Sequence, residues 1–306
     1  MPRVLVTGAN GFAGATICRH LLAHGWTVRG AVRRDDAVLP PGVERTLVGA
    51  LDGTTDWRST LQDVEAVVHC AARVHVLRET AADPLTAFRI VNVDASRRLA
   101  EQAAAAGVRR FVFLSSIGAA LAETDSARAN PYRRSKLEAE QALREVAAAS
   151  AMVLVMLRPP LIYGPGAPGN FARLARLVAA GRPLPLASLT CKRGQIFVGN
   201  LAGAVEAALG SNASPATALP LSDGEDLSAA ELARRMGRAC GRPARLLPCP
   251  PGLLRLAGRL LGRGTAVDAL TVSLPMSNAE ITAALGWVPA FSVDEGLALT
   301  FRETAA

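Results

Sequence analysis

Short apolar runs recur through the first half of the chain, separated by polar or glycine-bearing segments. The runs at 3–7, 27–32, 44–49, 65–70, 110–115 and 152–157 are rich in Val, Leu or Phe. They are continuous rather than alternating, which is the pattern of strands covered on both faces. Helical stretches fall between most of them, near 13–24, 55–61, 85–106 and 132–149. The third of these starts after Asp83-Pro84 and stops at Gly107, ordinary start and stop signals. Strand and helix in alternation predict an α/β fold, a doubly wound parallel sheet with helices on both faces.

The texture changes at Arg158. Pro159, Pro160, Pro165 and Pro168 crowd together with Gly164, Gly166 and Gly169, so 158–169 reads as a loop and 170–180 as a short helix. A strand and helix at 195–210 are expected to return to the main sheet. Further helices are expected near 228–239, 251–261 and 294–303. The organisation expected is therefore a domain over 1–165, rejoined by 195–210, and a smaller mixed domain over 166–306. The segment 252–263 alternates leucines with arginines and resembles a basic membrane-surface helix, but an apolar face packed within the small domain accounts for it more simply.

The break after the first strand carries chemistry. Val4–Val6 run into Gly8, and glycines recur at Gly11 and Gly14 as the helical pattern begins. A diphosphate must approach the backbone more closely than a Cβ permits, and the following helix aims its free N–H groups at that anion. A dinucleotide site is expected there.

Composition narrows the picture by exclusion. Half of the 306 residues are apolar, enough for a large core. No apolar run reaches the length of a bilayer span, and the first residues lack the layout of a signal peptide, so the chain reads as a soluble cytoplasmic protein. The five cysteines, Cys18, Cys70, Cys191, Cys240 and Cys249, are scattered without a CxxC pair, indicating neither a disulfide framework nor a zinc site. The net charge of +8 is spread along the chain, and aromatic residues make up 4%. That distribution argues against nucleic acid and for an acidic small substrate. His20 and His24 share a helix face at metal-ligand spacing, but no third ligand is evident from the sequence and no metal is expected.

Tyr132 and Lys136 are one helical turn apart in the segment Asn-Pro-Tyr-Arg-Arg-Ser-Lys, on one face at a helix start. An ammonium beside a phenol favours the phenolate, and a tyrosine so tuned exchanges protons with an alcohol oxygen near neutral pH. Upstream, Arg110-Phe-Val-Phe-Leu ends in Ser115 and Ser116, hydroxyls at the carboxyl end of a strand where ligands of open parallel sheets sit.

Thr7-Gly8-x-x-Gly11-x-x-Gly14, Ser116 and Tyr132-x-x-x-Lys136 together resemble the extended short-chain dehydrogenase/reductase family of the NAD-dependent epimerase/dehydratase type. His69-Cys-Ala71-Ala72, Asn92 in Val-Asn-Val-Asp, Arg158-Pro-Pro-Leu-Ile-Tyr163-Gly-Pro-Gly and Leu285-Gly286-Trp287-x-Pro289 add to the likeness, which runs from about residue 2 to 300. It is strongest to nucleotide-sugar 4-epimerases and 4-keto-sugar reductases. The resemblance implies a Rossmann-type dinucleotide domain and hydride transfer at C4 of a nucleotide-diphosphate hexose. Tyr132 would be the acid/base, Ser116 its hydrogen-bonding partner, and Lys136 the group that tunes Tyr132 and holds the nicotinamide ribose. It also implies cofactor contacts from Gly8, Asn10, Gly11, Phe12, Gly14, Arg33, Arg34, Leu51, Ala71, Ala72, Asn92 and Pro160. Asn170 and Arg193 would hold the sugar nucleotide, with an N-cap role as the alternative for Asn170. The helices at 85–106 and 132–149 are where relatives pair, so a homodimer is expected.

Three departures from the family pattern matter. NAD users place an acidic residue at the end of the second strand to bond the adenine ribose; here Arg33-Arg34 follow Val32. Arginine suits a 2′-phosphate, so NADP(H) is expected over NAD, unless a longer strand brings Asp35 or Asp36 to the ribose. Ala50 stands where relatives carry an adenine-facing aspartate, with Asp52 as a candidate substitute. Ile117-Gly118 replaces the Asp-Glu pair of the dehydratases, which argues against dehydration. A reductase of a non-nucleotide carbonyl and a non-catalytic dinucleotide sensor or assembly subunit remain as alternatives.

Overall fold

In the computed structural model, which describes residues 1–74, 83–125, 130–260 and 270–302, β1 (Arg3–Thr7) lies at the middle of a seven-stranded sheet. Its neighbours are β2 (Thr27–Val32) and β4 (Ala66–His69), both parallel to it. The order continues outward through β3 (Glu44–Leu47) on one side. On the other come β5 (Arg110–Leu114), β6 (Val153–Arg158) and β10 (Leu219–Pro220). Every pairing in this sheet is parallel. The chain order reverses between β1 and β4, so the carboxyl end of β1 opens at the switch point where such sheets take ligands. Interior strands are buried along almost their whole length, whereas β3 shows an exposed Glu44-Arg45 edge, a charged rim suited to an unpaired edge.

The helices follow the expected alternation with informative exceptions. α1 (Phe12–Ala23) and α5 (Pro131–Ala148) form as read. The single helix expected over 85–106 is three pieces: α2 (Pro84–Arg89), a π turn (Ile90–Asp94) and α3 (Ala95–Ala105). No helix forms over 55–61. Asp52 there accepts from the Thr54 N–H at 2.7 Å, and Asp56 accepts from Arg58 N–H at 3.0 Å. These local side-chain bonds offer the backbone an alternative to helix. α4 (Ile117–Thr124), not anticipated, is capped by Ser116, whose Oγ accepts from Gly118 N–H at 3.0 Å.

By its contacts the chain divides into two units. The first comprises Met1–Pro160, Leu201–Leu221 and Ala279–Val288; the second comprises Leu161–Asn200, Ser222–Asn278 and Pro289–Ala306. The strand expected to rejoin the main sheet from 195 is β9 (Gln195–Phe197), but it pairs with β7 (Leu161–Tyr163) in a separate small sheet. The strand that does return is β10, two residues ending in Pro220 at the sheet edge, too short and too proline-bound to read as a strand. Between them runs α7 (Val198–Gly210). Residues 279–288, expected in the second part, belong to the first unit and carry α10 (Ala279–Leu285).

The core of the first unit gathers Leu5, Trp57, Val67, Leu99, Phe111, Phe113, Leu143 and Met156. The second unit holds α6 (Gly169–Ala179), β8 (Lys192–Arg193) paired antiparallel to β11 (Leu227–Ser228), α8 (Ala229–Ala239), α9 (Pro251–Leu260) and α11 (Val293–Arg302). Its centre is Asp223, whose carboxylate accepts from Phe197 N–H at 2.9 Å, Asn200 Nδ2 at 2.8 Å and the Tyr163 hydroxyl at 2.8 Å. Burial pushes its carboxyl up while those three donors pull it back. Of the segment 252–263, expected to pack an apolar face, Leu254 is half-buried. Leu253 and Leu256 of α9 are more than half exposed, and 261–263 lie outside the described residues.

Candidate active site

The glycine turn is built by close approach. Gly8 has φ +66°, and a Cβ there would stand 3.0 Å from Ala71 N. At Gly14 a Cβ would stand 2.1 Å from the Gly8 carbonyl oxygen, so only glycine lets α1 seat against the end of β1. Gly11 is the N-cap of α1 and supplies no side-chain cap, leaving the first N–H groups of the helix available to an anion. Beside this turn lies a cleft lined by Gly8, Asn10, Arg33, Leu51 and Ala71, with Ala31, Val48 and Trp57. Trp57 Nε1 is buried with no hydrogen-bond partner. A glycine cradle, an uncapped helix start and this orphaned donor fit a dinucleotide.

Most of the other predicted cofactor residues are not among those that line the cleft. Gly11, Phe12 and Gly14 open α1. Pro160 follows the Pro159 carbonyl, which accepts from Ile117 N–H at 3.0 Å. Arg33 and Arg34 come directly after β2, which ends at Val32. Arg34 pairs with Asp36 at 3.1 Å, and Asp35 faces Arg45; both carboxylates therefore lie past the strand end. Asp52, the candidate adenine contact, is engaged by Thr54.

Ala71 and Asn92 belong to one hydrogen-bonded chain. Ala71 N–H donates to Thr7 Oγ1 at 3.1 Å, and Ser96 Oγ donates to the Asn92 carbonyl at 2.7 Å. Between them His69 bridges Thr7 Oγ1 at 2.6 Å and Ser96 Oγ at 2.8 Å. Since Ser96 already donates to a carbonyl, His69 Nε2–H must donate to it, and Nδ1 accepts from Thr7. Burial holds the imidazole neutral, its pKa down at about 3 with Lys136 adding to the effect. The Asn92 side chain closes the next loop: Oδ1 accepts from Arg73 N–H at 2.7 Å, and Nδ2 donates to Arg73 O and Ser135 Oγ. The π turn brings Asn92 to that position, as such turns often do at functional sites. Ala72 lies between these two anchors.

At the carboxyl end of β5 the two serines part. Ser115 is buried and donates to Glu140, a fully buried carboxylate that also receives Arg158 Nε at 2.9 Å and Nη2 at 2.6 Å. Ser116 hydrogen bonds the Tyr132 phenol. Tyr132 is the second residue of α5, whose N-cap Asn130 accepts from Arg133 N–H at 2.9 Å. One turn on, the buried Lys136 donates to the Leu114 carbonyl at 2.6 Å and lies 4.1 Å from the Phe113 ring centre.

The expected tuning of phenol by ammonium is not what this geometry produces. Burial raises the Tyr132 pKa above its ordinary value, and the opposing pull comes from Ser116. Lys136 is itself brought down from 10.5 to about 7 by burial, with Glu140 and Cys70 resisting.

The two residues expected at the sugar nucleotide lie in the second unit. Arg193 Nη1 donates to Val272 O at 2.9 Å. Asn170 is exposed in the first turn of α6, whose N-cap is Pro168, so it is not the cap. Ile117-Gly118 begins α4 and brings no carboxyl to Ser116. All five cysteines are free thiols, and burial pushes Cys18 up to about 12. His20 and His24, in contrast, do meet a third candidate ligand, Glu206 of α7; a partner 186 positions away from His20 leaves no trace in local spacing. Among the described residues, no helix is long and apolar enough to cross a membrane.

Known proteins share this sequence pattern and fold. The chain is 37% identical over 322 residues to a UDP-glucose 4-epimerase of Vibrio cholerae, covering 100% of this chain and 95% of that one. A UDP-N-acetylglucosamine 4-epimerase from Bacillus cereus superposes with a TM-score of 0.80 at 19% identity, over 100% of both chains. The Thermus thermophilus UDP-glucose 4-epimerase, solved in complex with NAD, gives 0.77 at 26% identity over 99% of each. The model of the NAD dependent epimerase/dehydratase family matches residues 4–218. With the glycine cradle on β1 and Ser116 against Tyr132, this match makes the chain an enzyme of the extended short-chain dehydrogenase/reductase type, and it belongs to the NAD dependent epimerase/dehydratase family.

Proposed function

We propose that the protein epimerises C4 of a UDP-hexose. The observation that carries this reading is the Ser116–Tyr132 hydrogen bond at the carboxyl end of β5, in a chain matched end to end by a UDP-glucose 4-epimerase. As the phenolate, which a bound cationic nicotinamide would favour against the effect of burial, Tyr132 would take the proton from the sugar O4 and later return it, with Ser116 holding the same oxygen. A bound nicotinamide dinucleotide supplies the hydride acceptor and donor for C4. Lys136, which donates to the Leu114 carbonyl at 2.6 Å, would donate instead to a hydroxyl of the nicotinamide ribose with the dinucleotide bound. Arg193 and Asn170 hold the nucleotide diphosphate, the former by bidentate contact. Gly8, Asn10, Gly11, Phe12, Gly14, Leu51, Ala71, Ala72, Asn92 and Pro160 surround the dinucleotide.

Reduction of a 4-keto sugar is the second reading, and Arg33 favours it. With no acidic residue at the end of β2, an arginine at the cleft suits the 2′-phosphate of NADP(H), the form cells keep reduced for stoichiometric use. Purified protein incubated with UDP- and dTDP-hexoses plus NAD+ or NADP+, and with their 4-keto forms plus NADH or NADPH, separates the two. Interconversion of C4 epimers without net loss of reduced dinucleotide supports epimerisation. Stoichiometric oxidation of NADPH replaces it with reduction. In either case Tyr132→Phe lowers turnover by about a thousandfold while dinucleotide affinity stays within a few-fold; unchanged turnover overturns the assignment.

A further inference from the structure

At the far end of α1 from the glycine turn, His20, His24 and Glu206 each bring one ligand atom to a common point, all within 4.8 Å of one another. We propose that this cluster binds a first-row divalent metal ion of the zinc class, joining α1 to α7 within the first unit.

The tautomers are set for it. His24 Nδ1 lies 2.7 Å from the His20 carbonyl oxygen, which only accepts, so Nδ1 carries the proton and Nε2 of the neutral ring presents its lone pair. Such a bond from the distal nitrogen to a carbonyl is how ligating histidines are oriented. His24 Nε2 stands 3.9 Å from Glu206 Oε2, and His20 Nε2 stands 2.7 Å from the same oxygen. Tetrahedral ligands at zinc distances lie about 3.3 Å apart, so the two separations bracket the bound value. Rotations of about 0.6 Å, one opening and one closing, reach it. On binding, His20 Nε2 exchanges its proton for the metal, and that proton passes to Nδ1 or to water.

The surroundings favour a cation. Both histidines lie at the carboxyl end of α1, where the helix dipole is negative. Ile17, Cys18 and Leu21 on one helix and Ala204, Val205 and Ala208 on the other are buried, so the backbones that carry the ligands are fixed before any ion arrives. The side chains remain 24%, 47% and 33% exposed, which leaves a fourth position for water. Two imidazoles and one carboxylate suit zinc and its neighbours rather than calcium or magnesium. A simple ion pair needs one imidazole; a second lone pair converging on the same carboxylate is what a metal uses. α1 has 12 residues and so spans about 18 Å, placing the ion away from Tyr132 as a clamp and not as a reactant.

Chelator-treated protein titrated with zinc chloride in a calorimeter tests this. One equivalent is expected in the micromolar range, with a rise in Tm. His24→Ala and Glu206→Gln should each weaken binding about ten- to a hundredfold and abolish the rise, with turnover and metal-free Tm unchanged. Cobalt gives an independent reading on the unmutated protein: visible ligand-field bands without a thiolate charge-transfer band. Binding that survives both substitutions, a thiolate band that places the ion on a cysteine, or no binding up to millimolar zinc overturns the proposal.

Discussion

Ser115 and Ser116 are neighbours with opposite environments. Ser115 is buried on Glu140, and Ser116 caps α4 while meeting Tyr132. Ser115→Ala should cost about 1–2 kcal/mol of stability and leave kcat within a few-fold. Ser116→Ala should lower kcat about a hundredfold; urea melts and steady-state kinetics on the pair read the contrast. Lys136 makes a separate prediction for the dinucleotide-free protein. Its folded pKa, about 7, lies below its usual 10.5. Between those values the unfolded chain binds the proton and the folded chain does not, so this group adds stability as pH rises and carries its full penalty below pH 7. The Tm advantage of Lys136→Met should therefore be largest near pH 6–7 and shrink toward pH 10. An advantage that does not change with pH would contradict the burial of a cation there. Tyr-x-x-x-Lys was legible because both residues ride one helix turn. The pKa reversal was not, since it depends on burial and on the Leu114 carbonyl, which spacing does not encode.

At the scale of elements, Glu140 ties three pieces together. Its carboxylate joins α5 to Arg158 at the end of β6 and to Ser115 after β5, with Arg144 alongside. Among the described residues Glu140→Gln leaves Arg158 with the exposed Glu123 as its carboxylate partner, and breaking a buried pair in this way should cost about 3 kcal/mol in urea denaturation. Loss of less than about 1 kcal/mol would mean that solvent reaches the pair. Sequence patterning found β1, β4, β5 and β6 because each is a dense apolar run. It failed where polar groups decide the backbone: Asp52 and Asp56 forestalled a helix, and the π turn at Asn92 interrupted one. The two-residue strands β8, β10 and β11 carry no periodicity to read.

For the whole molecule, the glycine turn and the tyrosine–lysine pair are local signals and were visible from the chain alone. Asp223, Glu140 and Glu206 act through partners far along the sequence, so only the folded chain brings them to notice. The helices α2, α3 and α5 pack side by side, with Arg89 and Glu138 in a two-point pair at 2.6 and 2.7 Å. Ile90, in the π turn, remains 41% exposed. The homodimer expected from the family resemblance would pair through this face. Light scattering should then give twice the 31.9 kDa chain mass, and Ile90→Asp should return it to that of a single chain. A monomeric mass for the unmutated protein would exclude the pairing.

The chain from Ala71 through Thr7, His69 and Ser96 to Asn92 has its direction set at both ends, because it starts at a backbone N–H and stops at a backbone carbonyl. No hydroxyl within it can turn round without facing donor to donor. It is therefore an insulator for protons: the amide at its head has none to release. The proton that Tyr132 is proposed to exchange with the sugar finds no route along this chain, and His69, buried within it, serves as scaffolding and not as a conductor.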